Sequence, residues 1–248
     1  MRTSCEVSII VPCYKRQEKL ARALASIKSA CCLPHEIILV DDCAEGSGFE
    51  VGRPYGVRYF LKAGIDQGLS TSRNIGLKLA RGRYVLFLDD DDFLLPQAID
   101  LLHNAITKGH SFAFGNHVLL FSERRVATNL KALTHEDLLV SNQIPVGSYL
   151  IEKSIIKSPF DHRLKSHEDW DFILGNIDWN RTVHVDQAVV VIDKTENKTT
   201  SHQAIRRKHF WMDFLYMYTR YPAEHLAQRR KQQLRQLGVN LGDLDINN

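Results

Sequence analysis

No cysteine follows Cys43; all five, Cys5, Cys13, Cys31, Cys32 and Cys43, fall in the first 43 positions. The count is odd, two are adjacent and no C-x-x-C pair exists, which argues against a disulfide framework and against a cysteine zinc site. The thiols are expected to stay reduced and to serve as small core residues in a reducing compartment. Long apolar runs are missing too. The longest are 84–88 (YVLFL) and 188–192 (AVVVI), far short of the roughly 20 residues that span a bilayer. No secretory pattern opens the chain, so a cytoplasmic protein is expected. One-sided charge is absent: 32 Lys and Arg face 29 Asp and Glu. That balance argues against a dedicated nucleic-acid binder. Phosphate-loop and hydrolase signatures do not occur, and Gly46-Ser47-Gly48 lacks the G-x-G-x-x-G spacing of a dinucleotide turn.

What is present is a chain of 248 residues, 44% hydrophobic and 25% charged, enough for one large packed domain or two small ones. Residues 7–11 (VSIIV), 36–40 (EIILV) and 84–88 are short continuous apolar runs, the mark of strands buried on both faces. A fourth strand is expected at 57–60. Leu20, Ala23, Leu24 and Ile27 recur at helical spacing, ending before Pro34. Residues 46–56 read as loop. Thr71 or Ser72 is expected to cap a helix running to Ala80. Pro96 suits the first turn of a helix whose apolar positions are Ala98, Leu101, Leu102, Ala105 and Ile106, stopped by Gly109. Strands near 111–121 and 183–192 and a helix around 168–178 complete the pattern, with a last helix from about Arg206. The alternation implies a mostly parallel α/β sheet. Ligands of such sheets bind beyond the carboxyl ends of the strands, where Pro12 to Arg16, Asp41-Asp42 and Asp89 to Asp92 fall.

The run Asp89-Asp90-Asp91-Asp92 is the strongest chemical feature. Two carboxylates about 5 Å apart repel by roughly 3 kcal/mol at an effective dielectric near 20. Four in a row call for a cation or for arginines nearby, and hard divalent ions take such oxygens together with substrate phosphates. An acidic turn that merely caps the next helix is the bland alternative. An EF-hand fails, since its sixth and twelfth positions hold Leu94 and Asp100. The second cluster, His167-Glu168-Asp169-Trp170-Asp171, lacks the second histidine of a zinc-protease helix. It offers a general base, or simply acids that favour a helix N-terminus. Arg73 opens a helix and suits either a phosphate or solvent.

Together these segments closely resemble the family 2 glycosyltransferases. The matching stretches are VSIIVPCYKR, EIILVDD, DQGLSTSRNIGLKLARGRYVLFLDDDDFLLP and VGSYLIEKSIIKSPFDHRLKSHEDWDFIL, within residues 4–200. The resemblance implies a GT-A fold, Rossmann-like, with a mostly parallel sheet, flanking helices and a C-terminal helical segment. The expected division is a nucleotide-sugar half at 1–115, an acceptor half at 116–204 and, beyond the resemblance, an amphipathic basic helical tail at 205–248. By position, Pro12, Tyr14, Arg16 and Asp42 line the site of the nucleotide, with Asp42 accepting from a ring N–H. Arg73 approaches the base or diphosphate, Asp89 and Asp90 lie near ribose and metal, and Asp91 ligates Mn²⁺ or Mg²⁺. Asp169 is then the base and Glu168 its neighbour. The implied reaction is an inverting transfer from a nucleotide-diphosphate sugar, UDP by resemblance, to a glycan or lipid-linked acceptor in polysaccharide synthesis. Where relatives carry a late metal-reaching histidine, this chain offers Thr195, Glu196 or His202.

Two rivals remain at this stage: a nucleotidyltransferase of sugar phosphates, against which the glycine-free PCYKRQEKL turn speaks, and a non-catalytic nucleotide or glycan module. Residues 206–248 hold eight Lys and Arg against four Asp and Glu. Trp211, Phe214, Leu215 and Tyr218 form one helical stripe there. Such a stripe lies on an anionic membrane surface, packs on the catalytic domain, or joins two copies as a homodimer.

Overall fold

The computed structural model describes residues 5–62, 68–195 and 200–239, the side chains of 200–209 excepted. Strands β1 (Val7–Cys13), β2 (His35–Asp41), β3 (Arg58–Leu61) and β4 (Tyr84–Phe87) form the expected parallel block in the order β3-β2-β1-β4. Beyond β4 the sheet turns mixed. Strands β8 (Tyr149–Glu152), β6 (Phe112–Leu120), β9 (Thr182–Asp193) and β5 (Phe93–Leu94) follow in space, with β7 (Arg125–Ala127) paired to β6. β8 is antiparallel to both β4 and β6, while β6 and β9 run parallel. Because β6 crosses position 115, the two halves of the chain share one sheet.

Strand alternation sorts the core into two layers. Val7, Ile9, Val11 and Cys13 face one way with Leu39 and Leu86, against α1 (Gln17–Ala30) and α4 (Ala98–Ile106). Ile10, Val40, Val85 and Phe87 face the other way, against α3 (Leu69–Leu79), α5 (His135–Val140) and α6 (Glu168–Asn176). α3 comes close because Gly76 has no side chain: a methyl group there would sit 2.3 Å from Ile10 Cγ2.

Several local expectations need correction. Residues 46–56 are not loop; they hold α2 (Gly48–Gly52) and a 3₁₀ turn, Arg53–Tyr55. α3 starts earlier than expected, after Gly68, with no side-chain cap, so Thr71 and Ser72 lie inside it. Ser72 is buried instead, and its hydroxyl receives the Lys62 ammonium at 3.2 Å. α4 begins after Pro96 and after Gln97, whose φ is +62°, and it ends at Ile106. The last long helix, α7 (Thr200–Arg220), starts before Arg206, and α8 (Ala227–Gln236) follows it. The stripe on α7 turns inward: Phe214, Met217 and Tyr218 are buried with Trp170, Leu164 and Leu234. Arg230 of α8 is buried beneath it. Its guanidinium donates to the carbonyls of Leu139, Tyr218 and Tyr221, the last turns of α5 and α7 and the residue after α7, where a cation meets the negative end of the helix dipole. Among the described residues no helix is long and apolar enough to cross a membrane.

Candidate active site

Two chain turns aim the polar residues at a common region, and each contains a non-glycine residue in the left-handed region. Lys15, between β1 and α1, has φ +55°, and His167, just ahead of α6, has φ +60°. Side chains other than glycine's adopt that conformation at a cost, held there by surrounding contacts.

At the first turn the Tyr14 backbone N–H donates to Asp90 Oδ2 at 3.0 Å. Arg16 donates to Asp90 Oδ1 at 3.0 Å and to Asp91 Oδ2 at 2.5 Å. The Tyr14 ring stays 52% exposed, whereas Pro12 is buried inside β1, opposite Val40. Burial lifts Asp90 to about 6 even though the Tyr14 N–H and Arg16 favour its anion. Asp92 is also buried, and it accepts the Asp193 N–H at 2.9 Å. Burial, then repulsion from Asp89, raises it to about 8. Carboxylate oxygens of Asp89, Asp91 and Asp92 all lie within 4.8 Å of one another. Converging hard oxygens fit a divalent cation, which would displace the proton that burial, then repulsion, favours on Asp92. The resemblance singled out Asp91 as the ligand; the cluster also contains Asp89 and Asp92.

The acidic run is joined to the second cluster by Arg73. This side chain is 1% exposed and donates to Asp89 at 2.7 and 3.0 Å and to Glu168 at 2.8 Å, with its guanidinium over the Phe160 ring. Burial opposes its charge, but Asp89 and Glu168 outweigh that and raise its pKa. Asp169 follows Glu168 on the first turn of α6. It accepts the Asn142 amide at 2.9 Å and the Trp170 N–H at 2.7 Å. Burial and the Glu168 charge push its pKa up, with Arg73 pulling the other way. A cavity of about 390 Å³ opens beside it, lined also by His117, Thr128, Asn142 and Gln143.

The two aspartates ending β2 separate in role. Asp41 is fully buried and accepts from Cys43 N–H, Gly48 N–H and Tyr59 OH, holding the turn into α2. Asp42 pairs instead with the fully buried Lys62 at 3.0 Å and accepts the Gly68 N–H at 2.9 Å. Thr195, through N–H and hydroxyl, donates to Asp193 Oδ1, and Asp193 also receives Arg22. Glu196 and the side chain of His202 lie outside the described residues. Sequence reasoning missed Lys62, Asn142 and His117. None stands in a motif; only the fold brings each to the aspartate it serves or the cavity it lines.

The family described as Glycosyl transferase family 2 matches residues 8–160. The GalNAc(5)-diNAcBac-PP-undecaprenol beta-1,3-glucosyltransferase of Campylobacter jejuni is 35% identical over 116 residues, 45% of this chain and 38% of that one. The crystal structure of S. aureus TarS 1-349 in complex with UDP-GlcNAc superposes with a TM-score of 0.67 at 20% identity, covering 96% of this chain and 74% of that one. Glucosyl-3-phosphoglycerate synthase from Mycobacterium tuberculosis, in complex with Mn²⁺, UDP and glucosyl-3-phosphoglycerate, superposes with a TM-score of 0.58 at 14% identity, covering 87% and 80%. At these identities the two structures establish the GT-A fold.

Proposed function

The chain belongs to the family 2 glycosyltransferases, and from that premise we propose an inverting enzyme that transfers a sugar from a UDP-sugar to a hydroxyl of a glycan or lipid-linked acceptor, with a divalent cation at Asp89, Asp91 and Asp92. The observation that carries this is Arg73, one buried guanidinium bridging Asp89 at the end of β4 and Glu168 at the start of α6. It couples the donor-side acids to the acceptor-side acids through a single rigid group.

Asp42, held by Lys62 and Gly68, accepts a ring N–H of the base, and the exposed Tyr14 ring lies at the same strand end. The bound cation supplies Lewis-acid relief of charge on the departing diphosphate. Asp169, oriented by Asn142 and the Trp170 N–H, takes the proton of the acceptor hydroxyl as that oxygen attacks the anomeric carbon. Its raised pKa suits a base working near neutral pH. Attack comes from the side opposite the diphosphate, so one displacement inverts the configuration and a single base suffices. The donor in the TarS complex supports UDP as the carrier, the Mycobacterium complex supports Mn²⁺, and the name of the Campylobacter relative supports a lipid-linked acceptor. The inward stripe of α7 supports packing on the domain itself over a membrane-facing role. Membrane contact through Arg206, Arg207 and Lys208, and homodimerisation, stay separate proposals.

The test uses UDP-GlcNAc and UDP-glucose with and without Mn²⁺. UDP, not pyrophosphate, is the expected product. Asp91→Ala is expected to abolish metal-dependent UDP binding. Asp169→Asn keeps UDP affinity while transfer falls by about 10²–10⁴-fold, the usual weight of a general base. Pyrophosphate release, or normal turnover by either variant, overturns the assignment.

A further inference from the structure

We propose that the cavity beside Asp169 receives an uncharged, polyhydroxylated acceptor unit, and that His117 binds a second hydroxyl of that unit as a hydrogen-bond acceptor through Nε2. The proposal rests on the transferase assignment and adds to it the class of group that meets the base.

The cavity's volume of about 390 Å³ falls among small-molecule sites, which run roughly 300–1,000 Å³. Among the described residues its polar lining comes from His117, Thr128, Asn142, Gln143 and Asp169, without a lysine or arginine. A phosphate or carboxylate placed there meets the Asp169 charge, with no cation among the described lining residues in direct reach to offset it. A sugar or polyol meets only hydrogen-bonding groups.

His117 is 8% exposed and comes from β6. Its ring is oriented by Thr128, whose hydroxyl oxygen receives the His117 backbone N–H at 2.9 Å and lies 2.9 Å from the His117 carbonyl. Of the two acceptors in reach of the single hydroxyl proton, that carbonyl is the nearer, and we assign the proton to it. The contact between Thr128 Oγ1 and His117 Nδ1, at 3.2 Å, is then an N–H donated by the ring. A neutral imidazole protonated on Nδ1 presents a bare lone pair on Nε2, and among the described residues the ring's one hydrogen-bond contact is at Nδ1, which leaves Nε2 without a protein partner. Burial, then the charge of Lys194, holds the ring's pKa down at about 4, so it stays neutral at working pH. Asn142 is already committed at both ends, donating to Asp169 Oδ2 and accepting the Ile144 N–H. It positions the base, and His117 is left as a nearly buried acceptor in the cavity lining.

Two measurements test this. Imidazole nitrogen–proton NMR correlations of the full chain, with the His117 signal identified by its loss in His117→Phe, are expected to show the Nδ1-protonated tautomer unchanged from pH 6 to 8. An Nε2-protonated or titrating ring overturns the proposal. UDP release from UDP-GlcNAc and UDP-glucose with Mn²⁺ is then followed with neutral methyl glycosides and ribitol, and with sugar 6-phosphates. Neutral compounds are expected to accelerate release and phosphorylated ones are not. His117→Phe is expected to raise the KM for the neutral compound about tenfold, the scale of one lost hydrogen bond, with UDP affinity unchanged. His117→Gln, which keeps an acceptor oxygen, is expected to recover part of it. A preference for phosphorylated compounds, no acceleration by neutral ones, or an unchanged KM in His117→Phe overturns the proposal while UDP binding stands. Failure of the unmodified protein to bind UDP overturns the transferase assignment and this proposal with it.

Discussion

At the scale of single residues, the four carboxylates of the acidic run are held by different sets of partners. Asp89 faces Arg73, Asp90 faces the Tyr14 N–H and Arg16, and Asp91 shares Arg16. Asp92 touches no cation among the described residues and accepts the Asp193 N–H, and burial, then the Asp89 charge, raises its pKa to about 8. A carboxyl whose folded pKa exceeds its unfolded one binds more protons when folded, so its contribution to stability is lost as pH rises through the folded value. Below about pH 6.5 the buried, neutral His117 and His167, both held near 4, act in the opposite direction as their unfolded forms take up protons. Between pH 6.5 and 8 the remainder of that effect fades, while Asp169, raised by burial and the Glu168 charge, adds to the loss from Asp92. Metal-free protein is therefore expected to lose about 1–2 kcal/mol over that window, read by urea unfolding. Saturating Mn²⁺ should flatten the slope, because the ion replaces the proton. A flat metal-free profile contradicts the placement of Asp92. Arg73 gives a second expectation. Arg73→Met strands Asp89 and Glu168 without their cation, a loss of about 3–5 kcal/mol for a broken buried pair. The loss should shrink at acid pH, where the carboxyls take up protons.

At the scale of elements, α6 carries Glu168 and Asp169, and α7 holds α6 in place. Asp213 of α7 accepts from Lys165 N–H, Ser166 N–H and the Ser166 hydroxyl, fixing the turn that leads into α6. Trp170 of α6 packs edge-on against Phe214 and Tyr218 of α7. The Tyr218 hydroxyl reaches the Val140 carbonyl at the end of α5. Asp213→Ala is expected to cost about 1–3 kcal/mol, the range for donors left without their acceptor. It should lower turnover while UDP affinity holds, since Asp42, Asp89 and Asp91 sit on other elements. Equal losses in turnover and UDP affinity would show that α7 supports the whole site rather than the base.

At the scale of the molecule, one sheet carries both halves, and the site lies where β4 gives way to the antiparallel β8. The helices after β9 belong to the same body, since Leu234 of α8 is fully buried with Trp170. A chain stopped after residue 199 would expose Trp170 and Leu164. It is expected to lose cooperative unfolding and near-ultraviolet circular dichroism, because burying one large apolar side chain contributes about 1.5–3 kcal/mol. A shortened chain that unfolds cooperatively with unchanged stability would make α7 and α8 an appendage.

The sequence by itself determined the parallel block, its strand ends and the acidic and basic residues gathered there. Continuous apolar runs such as VSIIV and EIILV bury on both faces whatever follows them, and a charge run at a strand end stays at that end. It left open the second half, where β8 and β9 take their places by pairing with β6 across long separations that no local pattern encodes. It also merged what the structure separates: Asp41 and Asp42 are adjacent in the chain, yet one holds a turn and the other faces Lys62. The direction of the α7 stripe was equally undecided, because Phe214 and Tyr218 suit lipid or protein alike until Trp170 and Leu234 arrive to cover them. Tertiary structure decided these points, since a side chain's partner is fixed by which elements the sheet order brings within a few ångströms.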